Sequence, residues 1–409
     1  MVSVGIVTAP SIQVKFHGCW KGENGTINDA ELNVSQPTAF EPCSADATFT
    51  LCNVTIGIDY HWQRQENQTF KGKLNVIRDG ELLTAVNVIS IEDYLVSVIS
   101  SEMNPNANVE FLKAAAVISR SWVRRQQINR LAEHMSPTNQ LGHKHTNDTI
   151  VEWHDHQDHT LFDVCADDHC QRYQGLTRII NPNASLAVRE TCGQVLTYSD
   201  EICDCRFSKC CGGTTELYDT CWEDKSVPYL QAVPDTDPKD GHVFCNTTDK
   251  AVLSQVLNSY DQETTHFYRW TVSYTQQELQ QLLFKKLNHH FGQIKALTPI
   301  HRGPSGRISL LKIEGTDDYL YIGKELTIRS ALSESHLYSS AFCVEPADIN
   351  PEGIPQRFIL HGKGWGHGVG LCQIGAAVMA SEGYDYQQIL QHYYPGTTLT
   401  TLRVTDKTK

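Results

Sequence analysis

The spacing of apolar residues changes at residue 90, and this change constrains the fold of the chain more than any other feature. Within residues 1–90, segments such as SVGIVTA, IQVKFHG and ATFTLCNVTIGI alternate or run apolar between Gly and Asn breaks, a pattern typical of β-strands. Residues 90–122, SIEDYLVSVISSEMNPNANVEFLKAAAVISRSW, instead predict two helices. Strand-like segments follow again, so we predict an α+β fold in which central helices, mixed β regions and a helical C-terminal segment surround a groove.

The length of 409 residues allows one large domain or two to three smaller ones. The sequence contains no internal repeat and no long low-complexity linker. We predict a β-rich N-terminal region over residues 1–89 and a catalytic core over residues 90–235. An insertion with one amphipathic helix is predicted over residues 236–297, and residues 298–409 are predicted to complete the core.

The charge of the chain limits its partners. A formal net charge of −13 argues against nucleic acid or an anionic membrane surface as the main partner. No segment approaches the roughly 18 apolar residues of a membrane-spanning helix. The first residues, MVSVGIVTAPSIQVKFHG, resemble an alternating strand and not a signal peptide. We therefore expect neither a membrane span nor a recognisable export signal.

The chain has fourteen cysteines, many for a cytosolic enzyme, and their even number permits disulfides. They are unevenly placed, with six in one stretch: Cys192, Cys203, Cys205, Cys210, Cys211 and Cys221. Cysteines that cluster near histidines point partly to metal binding, so the redox compartment stays open.

Glu102 is the strongest candidate for catalysis. Ser90 followed by Asp93 is a capping box, which predicts that the helix begins near Ile91. At about 100° per residue, Glu102 lies within about 80° of Ile91, on an apolar stripe. The stripe also contains Leu95, Val98 and Ile99. A carboxyl group there loses hydration, which favours its neutral form and raises its pKa, as a general acid requires.

The residue pattern leaves a structural alternative for Glu102, namely an ion pair with Arg120 or Lys113. Glycoside hydrolysis normally uses two carboxylates. Asp93 lies about 180° round the helix from Glu102, and Glu92 lies about 15 Å along the axis. No partner acid is evident nearby, so Glu102 would act alone.

The stretch HDHQDHTLFDVCADDHCQRYQG is a candidate metal site. Two thiolates and two imidazoles make a Cys2His2 set suited to tetrahedral zinc: His159, Cys165, His169 and Cys170. A disulfide between the two cysteines is the alternative. Three aspartates could accept hydrogen bonds from the imidazoles: Asp163, Asp167 and Asp168. Four protein ligands leave no position for an activated water, which indicates a structural site, whereas three would allow metal-assisted hydrolysis.

In HGKGWGHGVGL, glycine occupies every second position from Gly362 to Gly370. The spacing does not match a phosphate-binding loop. In an extended chain these glycines would leave one face bare, while Trp365 could stack on a sugar and His367 could bind a hydroxyl. The alternative is a tight packing corner before a helix near residues 373–382.

The stretch KCCGGTTE, residues 209–216, has two turn glycines beside adjacent cysteines. A strand-to-loop corner with buried thiols is the favoured interpretation. A second metal site or a vicinal disulfide is the alternative.

Seven separated motifs, taken in order, resemble those of one family, the sporulation stage II protein D / amidase-enhancer (LytB) family. They are IEDYLVSVISSEM, FLKAAAVISRSW, FDVCADDHCQRYQG, FSKCCGGTTE, VPYLQAVPD, PSGRISLLKIEG and GKGWGHGVGLCQIGAAVMASEGYDYQQILQHYYPG. The resemblance runs from about residue 75 to 400, with an interruption near 236–297.

The resemblance implies an activity on bacterial peptidoglycan, either as a lytic transglycosylase that prefers peptide-stripped glycan strands or as an enhancer of a cell-wall amidase. It implies that Glu102, the Glu of the EM motif, is the catalytic acid. It further implies a zinc site at His159, Cys165, His169 and Cys170, and a location in the cell envelope outside the cytoplasm.

We therefore predict a peptidoglycan lytic transglycosylase with Glu102 as its single general acid and base. Arg120, His367 and Gln373 are predicted to line the glycan groove, with an ion-pair role as the alternative for Arg120. A non-catalytic wall-binding amidase enhancer and a zinc-dependent hydrolase are the competing hypotheses.

Overall fold

The computed structural model describes residues 1–23, 25–57, 63–104, 106–135, 143–153, 159–167, 169–179, 181–256 and 266–402. His154, His156 and Asp168, which belong to the predicted metal stretch, lie outside the described residues. The described chain mixes helices with strands in several sheets, which confirms the predicted α+β class.

The N-terminal region consists of strands that form most of two sheets. The strands are β1 (Val2–Ala9), β2 (Ile12–His17), β3 (Cys19–Gly22), β4 (Gly25–Asn28), β5 (Glu31–Val34), β6 (Thr38–Pro42), β7 (Thr48–Ile56), β8 (Arg64–Phe70), β9 (Lys73–Asp79) and β10 (Leu82–Ile89). One sheet has the order β5-β2-β7-β8. Strand β2 buries Ile12, Val14 and Phe16 and exposes Gln13 and His17, as its alternating sequence requires.

The two predicted helices are present as α1 (Ile91–Glu102) and α2 (Val109–Met135). The Ser90 hydroxyl accepts a hydrogen bond from the backbone N–H of Asp93 at 3.1 Å, which confirms the predicted start of α1. The first turn of α2 is capped by Asn108, whose side chain accepts from the N–H of Glu110 at 2.9 Å. Helix α1 buries Leu95, Val98 and Ile99, because these residues share one face.

Short elements follow α2 and carry most of the candidate site. They are β11 (His143–His145), β12 (Thr149–Glu152), β13 (Val164–Cys165), a 3-10 turn (Gly175–Arg178), α3 (Pro182–Glu190), β14 (Gln194–Tyr198), β15 (Glu201–Ile202), β16 (Phe207–Ser208), α4 (Tyr218–Cys221) and α5 (Lys250–Val256). Strand β13 runs parallel to β1 and completes a sheet of order β13-β1-β10-β9-β6-β3-β4. The N-terminal region therefore supports the loop that follows β13.

A second hydrophobic core is built between residues 270 and 360. It lies among β17 (Arg269–Thr275), α6 (Gln276–Leu287), β18 (Ile294–Arg302), β19 (Ile308–Gly315), β20 (Tyr319–Gly323), α7 (Glu325–Ala331), β21 (Phe342–Ile349) and β22 (Pro355–Lys363). Strands β17, β22 and β21 form one sheet, and β11, β12, β20, β19 and β18 form another. The sequence-based boundary between residues 297 and 298 falls inside β18, and residues on both sides of it share this core.

The C-terminal elements return to the first core. They are β23 (Leu371–Cys372), α8 (Gln373–Ser381), α9 (Tyr386–Tyr393) and β24 (Thr398–Thr401). Strand β23 pairs in parallel with β16, and β24 pairs with β14. The buried residues of α8 and α9 belong to the same cluster as those of α1 and α2. Among the described helices, none combines the length and the apolar character that crossing a membrane requires.

Candidate functional site

Glu102 is the last residue of α1 and is half-buried. The helix ends there because Met103, whose N–H still bonds to the carbonyl of Ile99, has an extended backbone with φ −117° and ψ 162°. One carboxylate oxygen, Oε1, accepts a hydrogen bond from the backbone N–H of Arg172 at 2.8 Å. Within the described residues, no hydrogen bond reaches the other oxygen, Oε2. The carboxylate is thus held by one oxygen and can offer the other to a ligand.

The two other acidic residues of α1 are engaged elsewhere. Asp93 forms an ion pair with Lys71, and Glu92 forms one with Arg120. This agrees with the helical geometry, which separates both from Glu102. Neither carboxylate is placed to act with Glu102 on the same bond.

Arg120, predicted to line a glycan groove, lies inside the protein. The residue is 1% exposed, and two of its side-chain nitrogens donate to Glu92 at 3.0 and 2.6 Å. A further N–H donates to the carbonyl of Gln194 at 3.0 Å. The guanidinium is occupied and has no surface to present to a sugar, so the structure corrects this prediction in favour of the ion-pair alternative.

The structural alternative for Glu102 is also not realised. Lys113 pairs with Glu110 and Glu190, both at 2.7 Å, and Arg120 is taken by Glu92. Neither cation that sequence reasoning proposed for Glu102 contacts it. Its hydrogen bond comes instead from a main-chain amide.

The four predicted metal ligands come together into one group, called here the Cys/His cluster: His159, Cys165, His169 and Cys170. Their ligand atoms all lie within 4.8 Å of one another. The Nε2 atom of His159 is buried and has no hydrogen-bond partner in the described part of the chain. Two thiols and two imidazoles at these distances fit a tetrahedral zinc ion.

The pKa values of the two thiols of the Cys/His cluster are shifted in opposite directions. A hydrogen bond from Cys170 holds the pKa of Cys165 well below its usual range, and the same bond, together with burial, raises the pKa of Cys170. A thiolate is the form that binds metal, so the geometry already favours one ligand in its binding state. Asp163, which was predicted to accept a hydrogen bond from an imidazole, is engaged elsewhere, in an ion pair with Arg130 at 2.6 Å.

One loop connects the Cys/His cluster to Glu102. It starts at Cys165, which is fixed by the pairing of β13 with β1, and the N–H of Cys170 bonds to the carbonyl of Asp167 at 3.0 Å. Two residues after Cys170, Arg172 donates to Glu102. The loop ends at Tyr173, whose hydroxyl donates to Asn87 at 2.5 Å and whose N–H bonds to the carbonyl of Ala166 at 3.0 Å. The position of the cluster therefore affects the position of the donor to Glu102.

In the glycine segment, residues 362–370, only the first two residues are extended, as the end of β22. Gly364, Gly366, Gly368 and Gly370 all have positive φ, between 71° and 82°. These angles suit glycine because a Cβ disfavours them. They also bring the segment against residues 206–211, since a Cβ on Gly370 would lie 1.9 Å from the carbonyl oxygen of Arg206. The packing-corner alternative describes this segment better than a strand with one bare face.

His367 is half-buried within this corner. Its Nδ1 accepts a hydrogen bond from the N–H of Val369 at 3.0 Å, and its ring lies edge-on to Trp222 at 4.9 Å. Burial, together with the charges of Arg206 and Arg307, lowers the pKa of His367 to about 3. The imidazole is therefore neutral at physiological pH and can act as a hydrogen-bonding group but not as a cation.

Gln373 is the first residue of α8 and is 3% exposed. Its side chain lies in the core and not on a groove wall, which corrects its assignment as a substrate-binding residue. The position of α8 explains this, because the helix is buried on all sides and every residue except the last is buried.

Sequence reasoning missed two supporting groups. The first is the amide of Arg172, which carries no side-chain signal. The second is Arg307, which is fully buried and donates to the carbonyls of Gly366, Cys210 and Cys211. The sequence signal that could have indicated a buried role for Arg307 was its position in the motif PSGRIS, within a β-rich stretch.

Two parts of the chain match known family models. Residues 79–198 match the family model described as Stage II sporulation protein, and residues 216–370 match one described as a domain of unknown function, DUF8618. The first match contains Glu102 and the whole Cys/His cluster, and the second contains His367.

Among curated proteins, the amidase enhancer of Bacillus subtilis (strain 168) is 28% identical over 239 residues, which are 54% of this chain and 33% of that protein. Stage II sporulation protein D of Bacillus amyloliquefaciens is 26% identical over 324 residues, 77% of this chain and 75% of that protein. An uncharacterized protein of Brachyspira hyodysenteriae is 27% identical over 331 residues, 81% of this chain and 72% of that protein. The chain thus spans about one third of the amidase enhancer but about three quarters of the other two.

Proposed function

This chain belongs to the sporulation stage II protein D / amidase-enhancer family, and on that premise we propose that it is a lytic transglycosylase of bacterial peptidoglycan. The relatives named for amidase enhancement and sporulation support a role at the cell wall, outside the cytoplasm. The substrate would be the glycan strand, after removal of its stem peptides.

The proposal rests on the observation that Glu102 is the one acid of α1 that forms no ion pair with a described residue. Glu102 keeps Oε2 without a hydrogen bond from the described residues, while Glu92 and Asp93 are neutralised by cations. Hydrolysis by two carboxylates needs a partner acid. Transglycosylation within the substrate does not, because the nucleophile is a hydroxyl of the sugar itself.

In the proposed reaction, Glu102 protonates the glycosidic oxygen between N-acetylmuramic acid and N-acetylglucosamine, and the bond from that oxygen to C1 breaks. Glu102, now a carboxylate, takes the proton from the C6 hydroxyl of the muramoyl residue. The C6 oxygen closes on C1 and gives a 1,6-anhydro end. No proton is gained or lost overall, and no water is consumed.

The amide of Arg172 has a positioning role in this proposal. By holding Oε1, it fixes the rotation of the carboxyl group, so that the proton is carried on Oε2. Positioning of this kind matters because small displacements of a catalytic group reduce the rate strongly.

Zinc at the Cys/His cluster would be structural. When bound, it would supply a cross-link between the four side chains, with no coordination position left for a water. Hydrogen bonds within the chain would hold the remainder of the site. The N–H of Tyr173 bonds to the carbonyl of Ala166, and the N–H of Arg172 bonds to Glu102. A zinc-dependent hydrolase is disfavoured because all four donors converge.

Amidase enhancement is the second candidate function, and the 28% identity to a protein named for it favours including it. In this case the chain would bind glycan and a cell-wall amidase without cleaving either, and Glu102 would be dispensable.

Digestion of purified, peptide-free glycan strands, followed by mass spectrometry, separates these functions. Wild type should release 1,6-anhydro-ended fragments, and Glu102→Gln should release none. The matched control is Asp93→Asn, which changes another acid of α1 and should keep the activity. Equal release by Glu102→Gln would refute the proposal. Binding without products, combined with stimulation of an added amidase, would favour the enhancer.

A further inference from the structure

A second group of metal-binding side chains lies in the interior, made of residues that have no part in the proposed reaction. The Cys3Asp cluster consists of Cys211, Asp235, Cys245 and Cys372, all of them buried. The sulfur atoms and one carboxylate oxygen all lie within 4.8 Å of one another. We infer that the Cys3Asp cluster is a second, structural metal site that takes a zinc-class divalent cation in tetrahedral coordination.

The charge of Asp235 supports a cation. The residue is 0% exposed, its Oδ1 accepts from the Tyr393 hydroxyl at 2.6 Å, and its Oδ2 accepts from the N–H of Cys245 at 2.9 Å. No lysine, arginine or histidine forms an ion pair with it in the part of the chain that the structure describes. A buried carboxylate without a counter-charge is costly, and a divalent ion would provide that charge.

Backbone amides also point at the sulfur atoms. The Sγ of Cys372 accepts from the N–H of Cys211 at 3.2 Å and from the N–H of Gly375 at 3.5 Å. The second donor belongs to the first turn of α8, where a helix N-terminus favours a thiolate. The Sγ of Cys211 accepts from the N–H of Gly213 at 3.4 Å. Such contacts hold metal-bound thiolates in a fixed orientation.

Space for the carboxylate is provided at Gly375. A Cβ at this position would lie 2.5 Å from Oδ1 of Asp235 and 2.2 Å from the hydroxyl oxygen of Tyr393. Any side chain there would displace the carboxylate from the thiols. Because glycine has no side chain, Asp235 can approach α8 closely at this position.

The cluster joins three segments that are distant in sequence. Cys211 lies in the turn after β16, Asp235 and Cys245 flank the pairing of Thr236 with Val243, and Cys372 ends β23. A single ion would link the glycine-rich turn, this hairpin and the start of α8. Its effect would be on the stability of the first core.

A disulfide is the competing interpretation. The sulfur atoms of Cys211 and Cys245 are 3.6 Å apart, and all fourteen cysteines are free thiols in the structure. A disulfide, however, gives no role to Asp235, whose carboxylate would remain buried beside it. A metal site uses all four side chains.

The test measures zinc per chain by elemental analysis in the full-length protein, purified without chelator from zinc-supplemented cells. To separate the two sites, Cys165→Ser and Cys170→Ser are combined as a background that removes the Cys/His cluster. This background should retain one zinc per chain. Adding Cys372→Ser or Asp235→Asn should remove it, whereas Cys203→Ser, at a buried cysteine outside the cluster, should not.

If the Cys165→Ser, Cys170→Ser protein does not fold, Cys372→Ser and Asp235→Asn can be made in the wild type instead. Each of Cys372→Ser and Asp235→Asn should then cost one zinc equivalent. When loaded with cobalt, the wild type and the Cys165→Ser, Cys170→Ser protein should each show a thiolate-to-cobalt charge-transfer absorption band. Adding Cys372→Ser should weaken this band. Three results would each overturn the inference. They are folded protein without this zinc, zinc that persists in both variants, and an intact mass that shows a Cys211–Cys245 disulfide. None of these outcomes depends on whether Glu102 cleaves glycan.

Discussion

Replacing Arg120 with methionine tests whether this residue stabilises the fold or binds substrate. The change keeps most of the aliphatic length and removes the guanidinium, which donates to Glu92 at 3.0 and 2.6 Å and to the carbonyl of Gln194 at 3.0 Å. Glu92 and the carbonyl would lose their partner.

The expected loss follows from burial. Breaking a buried ion pair costs roughly 3–5 kcal/mol. Glu92 is 35% exposed and can regain part of its hydration, which moves the value to the lower end. The unpaired carbonyl of Gln194 adds about 1 kcal/mol. We therefore expect Arg120→Met to lower the free energy of unfolding by about 3–4 kcal/mol.

Urea-induced unfolding followed by circular dichroism measures this loss. The control is Arg125→Met, which breaks an ion pair with Glu201, an acid that is 73% exposed, and should cost less than about 1 kcal/mol. Glycan affinity of folded Arg120→Met should equal that of wild type. A loss below about 1 kcal/mol, or weaker glycan binding with stability intact, would refute the structural assignment.

Three further predictions concern the corner and the Cys/His cluster. Gly368→Ala should lower the free energy of unfolding by about 2 kcal/mol or more, because φ is +77° and the Cβ would lie 2.4 Å from the Arg307 guanidinium. The control is Gly80→Ala, at a site with open space around the Cβ. Equal urea midpoints for the two variants would contradict the prediction. The depressed pKa of His367, about 3, means that the unfolded chain binds the extra proton, so stability is fully present above about pH 6.5 and is lost as pH falls towards 3. His367→Gln should therefore flatten the acid limb of a plot of unfolding free energy against pH, and an unchanged slope would count against it. Cys165→Ser should lose one zinc and slow glycan cleavage while the products stay 1,6-anhydro by mass spectrometry. Loss of the zinc with an unchanged cleavage rate would contradict the link between the Cys/His cluster and Glu102.

The sequence allowed accurate prediction where one local signal decides the structure. Ser90 and Asp93 fixed the start of α1, and the apolar stripe fixed which face is buried. The Cys/His cluster was also predictable, since its four residues lie within twelve positions of one another and one loop can bring them together.

Prediction failed where the outcome depends on distant partners. Nothing local to Arg120 shows that Glu92 and the carbonyl of Gln194 converge on it. The alternating glycines of residues 362–370 permit both an extended and a left-handed chain, and packing against residues 206–211 selects the second. Cys211 and Cys372 are far apart in sequence, so their proximity could not be inferred.

The donor to Glu102 is a main-chain amide, and this has a genetic consequence. Every amino acid except proline supplies an N–H at position 172, so replacing the side chain alone leaves this donor in place. Arg172→Pro alone deletes the donor, while Arg172→Ala retains it. Side-chain replacements at position 172 therefore do not test this contact, on which the proposed chemistry depends, whereas a proline does.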